Sequence, residues 1–264
     1  IFYFKSSVAE QVQLDLLDEY LRAAHREGIR VIIYFNVHWL SPAIANKHKD
    51  WVQLRRDGSV IDDVYGLGMS PCVNSPDYRK WSFQVIKDLA QYDIDGIFLD
   101  GPIFIASGCY CDACREKFKS EFGEDLPAKE DWESSLWKKF IEFRYQSITD
   151  YMRDAYNTLK STKPDAIIYM NGQGLWPSWP NGRDNRRLAP HQDIIGAEGG
   201  FIGGDLSRVP LWKPAMSAKL LETQASGKPT VIFIAGKNCG WDNYALTPEE
   251  TRLLYADTIA YGAS

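Results

Sequence analysis

Apolar and polar positions follow two different periods along this chain, and the switches between them mark its elements. Between Val8 and Gly28, Leu14, Leu17, Leu21 and Ala24 recur every three or four residues, which predicts an amphipathic helix closed by Gly28. The segment "IRVIIYFNVHW" that follows is almost continuously apolar and rich in β-branched residues, the pattern of a parallel strand covered on both faces. The alternation then repeats. A helix over 77–91 leads into "DGIFLDG", a long helix over 134–161 leads into "AIIYMNGQ", and "QDIIGAEGGF" follows a polar loop. A helix over 212–225 precedes "PTVIFIAGKN", and "TPEETRLLYADTIAYG" combines helical periodicity with a Thr-x-x-Glu capping box.

Strands alternating with helices imply a parallel sheet, either open and doubly wound or closed as a (β/α)8 TIM barrel. The open form would carry a glycine-rich phosphate turn after an early strand, and none is present. A barrel places its functional residues where strands end. Here Asn36 and His38, Asp100, Asn171 and Gln173, Glu198, and Lys237 and Asn238 each close an apolar run. The expectation is a single catalytic TIM-barrel domain over 1–264. The runs above are its second, fourth, fifth, sixth and seventh strands, and the third is placed near "GLGMSPCVN". The barrel reads as truncated at its first and last strands, with "IFYF" the end of the first. Residues 103–133 are too long for a plain strand-to-helix loop and hold a short helix of their own, "CREKFKSEFG". They read as an insertion after strand four, above the barrel mouth.

Composition narrows the partners more than the fold. A chain of 264 residues, 45% of them hydrophobic, can bury one sizeable core. Its formal charge of −5 argues against nucleic acid or an anionic membrane as partner, and a neutral substrate fits better. No apolar run approaches a membrane span, and "IFYFKSSVAEQ" lacks the basic start and long apolar stretch of a signal peptide, so a cytoplasmic location is expected. Assembly into a homo-oligomer is left open.

The cysteines add chemistry. Cys109, Cys111 and Cys114 form a Cys-x-Cys-x-x-Cys run, and Cys72 lies just past the expected third strand, whose loop would neighbour the one after strand four. Four thiolates suit a structural zinc, because they leave no position open for water. Buried free thiols are one alternative, and disulfides, which need an oxidising compartment, are another. Cys239 is left over as an ordinary thiol, and no catalytic cofactor is expected.

"CVNSPDYR" followed by "CYCDACREKF" resembles glycoside hydrolase family 42, β-galactosidases whose barrel carries a four-cysteine zinc site of similar spacing. That resemblance, over about residues 70–120, implies a sugar-cleaving barrel. The catalytic pattern differs, since strand four ends in Leu99 and Asp100 and "VIFIAGKN" has no carboxylate. Over the whole chain, "AAHREGIRVIIYFNVHW", "HKDWVQLRRDG", "DGIFLDGP" and "DIIGAEGGF" resemble uncharacterised glycoside hydrolase barrels related to family 29 α-L-fucosidases and to α-galactosidase-like barrels. By that resemblance, the aspartate closing strand four, here Asp100, is the nucleophile.

Most glycosidases need a second carboxyl group across the scissile bond. Glu198, between an apolar run and two glycines, is the candidate acid/base, and burial beside rings such as Phe201 would suit it to donate a proton. Asp242 is the reserve acid or a sugar ligand. Trp39, Trp176, Trp179 and Trp241 offer faces for a sugar ring, and His38, Asn171, Gln173, Lys237 and Asn238 offer groups for its hydroxyls. The reading is a retaining glycosidase that removes a terminal sugar. Its alternatives are a non-catalytic carbohydrate-binding barrel and a family 42-like β-galactosidase.

Overall fold

The computed structural model describes residues 2–9, 12, 14–64, 66, 68–172, 177–199, 212–234 and 246–263. Helix α1 (Leu17–Arg26) starts later than the periodicity from Val8 suggested, and Leu14 stays outside it, exposed. Asp18 and Glu19 occupy its first turn and His25 and Arg26 its last, matching the helix dipole, and Gly28, at φ +72°, leads the chain away. Next come β1 (Ile32–Asn36), the one-turn α2 (Pro42–Ala45) and α3 (Pro76–Leu89). Helix α3 begins with a proline after Ser75, whose hydroxyl accepts the Tyr78 N–H.

Strand β2 (Gly96–Asp100) pairs in parallel with β1, from Ile32 opposite Gly96 to Asn36 opposite Asp100. The strand expected near "GLGMSPCVN" is therefore absent from the sheet. That segment instead makes isolated antiparallel bridges, Met69 to Leu40 and Pro71 to Val52. Pro71 has no N–H to give a ladder, and Gly68 packs so tightly that an added Cβ would lie 2.3 Å from the Leu40 carbonyl oxygen. Strand β1 departs from expectation too: Ile32 and Tyr34, on one face, are exposed.

The expected short helix appears as α4 (Asp112–Phe122), ended by Gly123 at φ +70°, and the long one as α5 (Ser135–Thr162). Trp137, Phe140, Arg144, Ser147, Ile148, Tyr151, Met152, Ala155 and Leu159 recur at helical spacing and form the buried face of α5. Against it α3 stacks Tyr78 on Tyr151, with ring centroids 6.3 Å apart, and the Tyr151 hydroxyl donates to Ser82 Oγ at 2.9 Å.

The later elements are β3 (Ile167–Gly172), α6 (Asn185–Leu188), β4 (Ile195–Ala197), α7 (Lys213–Gln224), β5 (Thr230–Ile232) and α8 (Pro248–Ala260). Among the described residues five strands lie in the sheet in chain order, and β4 is parallel to both β3 and β5. The predicted capping box is present, the Thr247 hydroxyl accepting from the Glu250 N–H and the Glu250 carboxylate from the Thr247 N–H.

The chain divides into two compact units, Ile1–Ile168 with Ser178–Arg183, and Tyr169–Pro177 with Asp184–Ser264. The aromatic core around α3 and α5 belongs to the first. The second has a core of smaller residues, Ala189, Ile195, Ala197, Ala218, Leu221, Ala225, Ile232 and Ala263. Among the described residues no helix is long and apolar enough to cross a membrane.

Candidate active site and metal centre

Side chains two apart on a strand share a face, so the parallel register puts Tyr34 and Asn36 of β1 on the side of Phe98 and Asp100 of β2. At the C-terminal end of this pair the Tyr34 hydroxyl donates to Asp100 Oδ2 at 2.5 Å. His38 is buried beside them, its Nδ1 2.7 Å from the Asp100 carbonyl oxygen and 3.7 Å from Oδ2. A carbonyl can only accept, so Nδ1 carries a proton and, in the neutral ring, Nε2 is the acceptor nitrogen. Asn36 Oδ1 accepts the backbone N–H groups of His38 and Trp39, which turns the chain out of β1. Gly101 must be glycine: its φ is +104°, and a Cβ would lie 2.8 Å from His38 Cβ. The outcome is a half-buried carboxylate, aimed by a phenol and backed by an imidazole, where a parallel strand ends.

In the second unit Glu198 follows β4 directly, and Asn171 Nδ2, buried at the end of β3, donates to its Oε1 at 2.6 Å. The sequence led us to expect a buried Glu198, but its side chain is exposed. Strand β4 is only Ile195–Ala197, and Glu198 already lies past its last ladder position. Gln173, Trp176, Phe201, Lys237, Asn238, Cys239, Trp241 and Asp242 lie outside the described residues.

The four cysteines converge as expected, by a different route. Cys72 lies on the β1–α3 connection, Cys109 and Cys111 lead into α4, and Cys114 sits in its first turn. Because β1 and β2 are neighbours, the segments that follow them meet without a strand between. All four cysteines are buried, with their sulfur atoms within 4.8 Å of one another. Cys72 Sγ is 3.4 Å from Cys114 Sγ and 3.5 Å from Cys111 Sγ. Those separations exceed the ~2.05 Å of a disulfide. They approach the ~3.8 Å sulfur–sulfur edge of a tetrahedron with 2.3 Å metal–sulfur bonds. Without a cation the thiols must share protons. Hydrogen bonds from Cys109, Cys114 and Cys72 hold Cys111 well below the usual thiol range. Cys72 is pushed up by hydrogen bonds with Cys109 and the other thiols, and Cys114 by burial. A divalent ion would let all four ionise, so the donor set fits a metal.

Sequence reasoning missed the supports of this cluster. Asn74 donates from Nδ2 to Cys114 Sγ at 3.4 Å and to Ser147 Oγ at 3.0 Å. Arg144 is fully buried on α5 and donates to the carbonyl oxygens of Ile105, Gly108, Trp179 and Pro180. Burial pulls its pKa down to about 10, while the nearby Cys109 and Cys114 oppose that shift. One signal for it was legible, a charged residue on the apolar stripe of a helix.

Residues 1–101 match the family described as hypothetical glycosyl hydrolase 6. None of the curated proteins matches the chain in sequence. Among solved structures, the chain is similar to α-L-fucosidase isoenzyme 2 from Paenibacillus thiaminolyticus, with a TM-score of 0.72 and 22% identity over 99% of this chain and 37% of that one. It is also similar to a β-galactosidase from Bacillus circulans sp. alkalophilus, with a TM-score of 0.75 and 21% identity over 96% of this chain and 42% of that one. A third likeness is to the PgaB (BpsB) glycoside hydrolase domain from Bordetella bronchiseptica, with a TM-score of 0.78 and 13% identity over 99% of this chain and 76% of that one. The chain spans less than half the length of the first two. At these identities the likeness is one of fold, a mixed α/β chain with a parallel sheet matching the glycoside hydrolase barrels. A fucosidase and a β-galactosidase are two of the kinds of enzyme that the sequence resemblances named.

Proposed function

We propose that this chain is a retaining glycoside hydrolase that removes a terminal sugar, with Asp100 as nucleophile and Glu198 as acid/base. The observation that carries the reading is the Asp100 carboxylate at the end of β2, oriented by the Tyr34 hydroxyl at 2.5 Å beside buried His38. The family match and the glycosidases of similar fold support it. In this reading residues 1–264 act as one catalytic domain, their five strands are part of a (β/α)8 barrel, and 103–133 is an insertion held by a structural zinc on Cys72, Cys109, Cys111 and Cys114. His38, Trp39 and Asn171, with Gln173, Lys237, Asn238, Trp241 and Asp242, bind the sugar.

In the chemistry proposed, Asp100 attacks the anomeric carbon as Glu198 protonates the departing oxygen. Glu198 then takes a proton from the water that hydrolyses the glycosyl-enzyme. Zinc held by Cys72, Cys109, Cys111 and Cys114 would have no open position, so it would serve to hold the loop.

The test is hydrolysis of 4-nitrophenyl α-L-fucopyranoside, α-D-galactopyranoside and β-D-galactopyranoside by the native chain and two variants. Asp100→Asn is expected to lose about 10³-fold or more in kcat, and Glu198→Gln to lose most on substrates with poor leaving groups. Turnover that survives Asp100→Asn overturns the assignment. Sugar binding without turnover on any substrate favours the non-catalytic carbohydrate-binding barrel.

A further inference from the structure

One recess in the first unit does not have Asp100 in its lining. It is a cavity of about 370 Å³ between the β1–α3 connection, the loop before α4 and the start of α5. That size is within the range of small-molecule sites. Its apolar walls are Tyr110, Trp137, Phe140 and Trp179, and its polar groups include Arg56 and Glu130. Trp137 and Trp179 meet edge to face at 5.4 Å, and Trp132, half exposed, packs against both at 6.3 and 5.7 Å. Trp137 and Trp179 therefore wall the recess, and Trp132 braces them from beside it.

Three polar features point to a ligand. Trp137 is only 3% exposed, yet its indole N–H has no hydrogen-bond partner. A buried donor left unpaired forfeits its hydrogen bond to water without replacement, so native structures rarely keep one without a use. Arg56 lies over the Tyr110 ring at 5.1 Å and gives one hydrogen bond, to the Tyr110 hydroxyl, which leaves most of its five N–H donors for other use. Glu130 accepts from Trp132 Nε1 at 2.7 Å through one oxygen and has acceptor capacity to spare.

We propose that this recess is a second carbohydrate site, which takes a neutral pyranose ring. The ring's apolar face stacks on tryptophan, its oxygens accept from Trp137 Nε1 and Arg56, and its hydroxyls donate to Glu130. Charge selects a neutral ring over an acidic one: Arg55 and Arg56 are matched in the lining by Asp57 and Glu130, and Arg55 is already engaged by Asp63 at 3.2 Å. The inference rests on the carbohydrate part of the function proposed above and not on its catalytic assignment.

Its test uses the Asp100→Asn chain, so that turnover plays no part. The indole N–H signals of the ¹⁵N-labelled protein are followed while methyl β-D-galactopyranoside, methyl α-L-fucopyranoside and methyl β-D-glucuronide are added, and Trp137→Phe identifies the Trp137 signal. The expected result is a saturable shift of Trp137 with one of the neutral glycosides, at a dissociation constant on the order of 1 mM and weakened about tenfold in Arg56→Ala. Arg56 is exposed, so that variant leaves the core intact. An unmoved Trp137 signal in a folded protein overturns the site, and tighter binding of the glucuronide overturns its neutrality. Hydrolysis without a Trp137 shift would refute this site alone, and a shift in a protein without hydrolysis would refute the catalytic reading alone.

Discussion

Tyr34 shows how much a single side chain can decide. It lies on the same face of β1 as Asn36, opposite the strand that delivers Asp100, and its hydroxyl holds the carboxylate at 2.5 Å. A hydrogen bond to a charged group contributes about 1.5–3 kcal/mol, so Tyr34→Phe is expected to lower kcat about tenfold or more. Tyr34 acts through Asp100, as a positioning residue, so KM should change little, and steady-state kinetics of the variant will separate the two constants. Asp100 itself was legible, because a carboxylate closing an apolar run is unusual. Tyr34 was not, since a tyrosine inside a strand reads as packing until the register shows what faces it.

Loops and helices carry the next set of constraints. The segment from Ile105 to Cys114 has no strand to hold it among the described residues, and two devices do so instead, the cysteine cluster and Arg144. Metal binding to such a cluster contributes directly to folding. If the cluster holds zinc as proposed, its removal by a chelator is expected to lower the thermal midpoint and to expose four more thiols to a colorimetric reagent, with one zinc per chain recovered by elemental analysis. Two or fewer protected thiols would show that the four do not share an ion. Arg144→Met keeps the volume but strands four buried carbonyl groups, and should cost about 3–5 kcal/mol, read by denaturant unfolding. The cysteine spacing was visible in the sequence. Asn74 was not, and of Arg144 only its place on the apolar stripe was, because their partners are backbone and sulfur atoms brought in by the fold.

For the molecule as a whole, the acid limit of stability has one clear contributor at the far end of the same strands. Burial pushes the Asp95 carboxyl upward, but hydrogen bonds from Arg30, the Val31 N–H and His25 more than offset this and hold it at about 2, below the ordinary 3.8. A depressed carboxylate stabilises the fold fully above its unfolded value and loses that contribution as pH falls through its folded one. Asp95→Asn is therefore expected to be less stable at neutral pH and to show a shallower stability loss between about pH 4 and pH 2, measured by urea unfolding across that range.

The sequence by itself determined the order and type of the elements: five strands where apolar runs stand, helices at the predicted places, the capping box at Thr247 and the four-cysteine set. Periodicity and capping are local properties, written within one or two turns of chain. The tertiary structure alone decided that 66–74 leaves the sheet for antiparallel bridges, that Glu198 is exposed, and that Tyr34 faces Asp100. It also decided that Trp137 and Trp179 line one recess, with Trp132 packed against both and the Trp137 N–H unpaired. These outcomes depend on which distant segments come into contact and on the space a proline or a glycine leaves between them, and no short-range pattern encodes either.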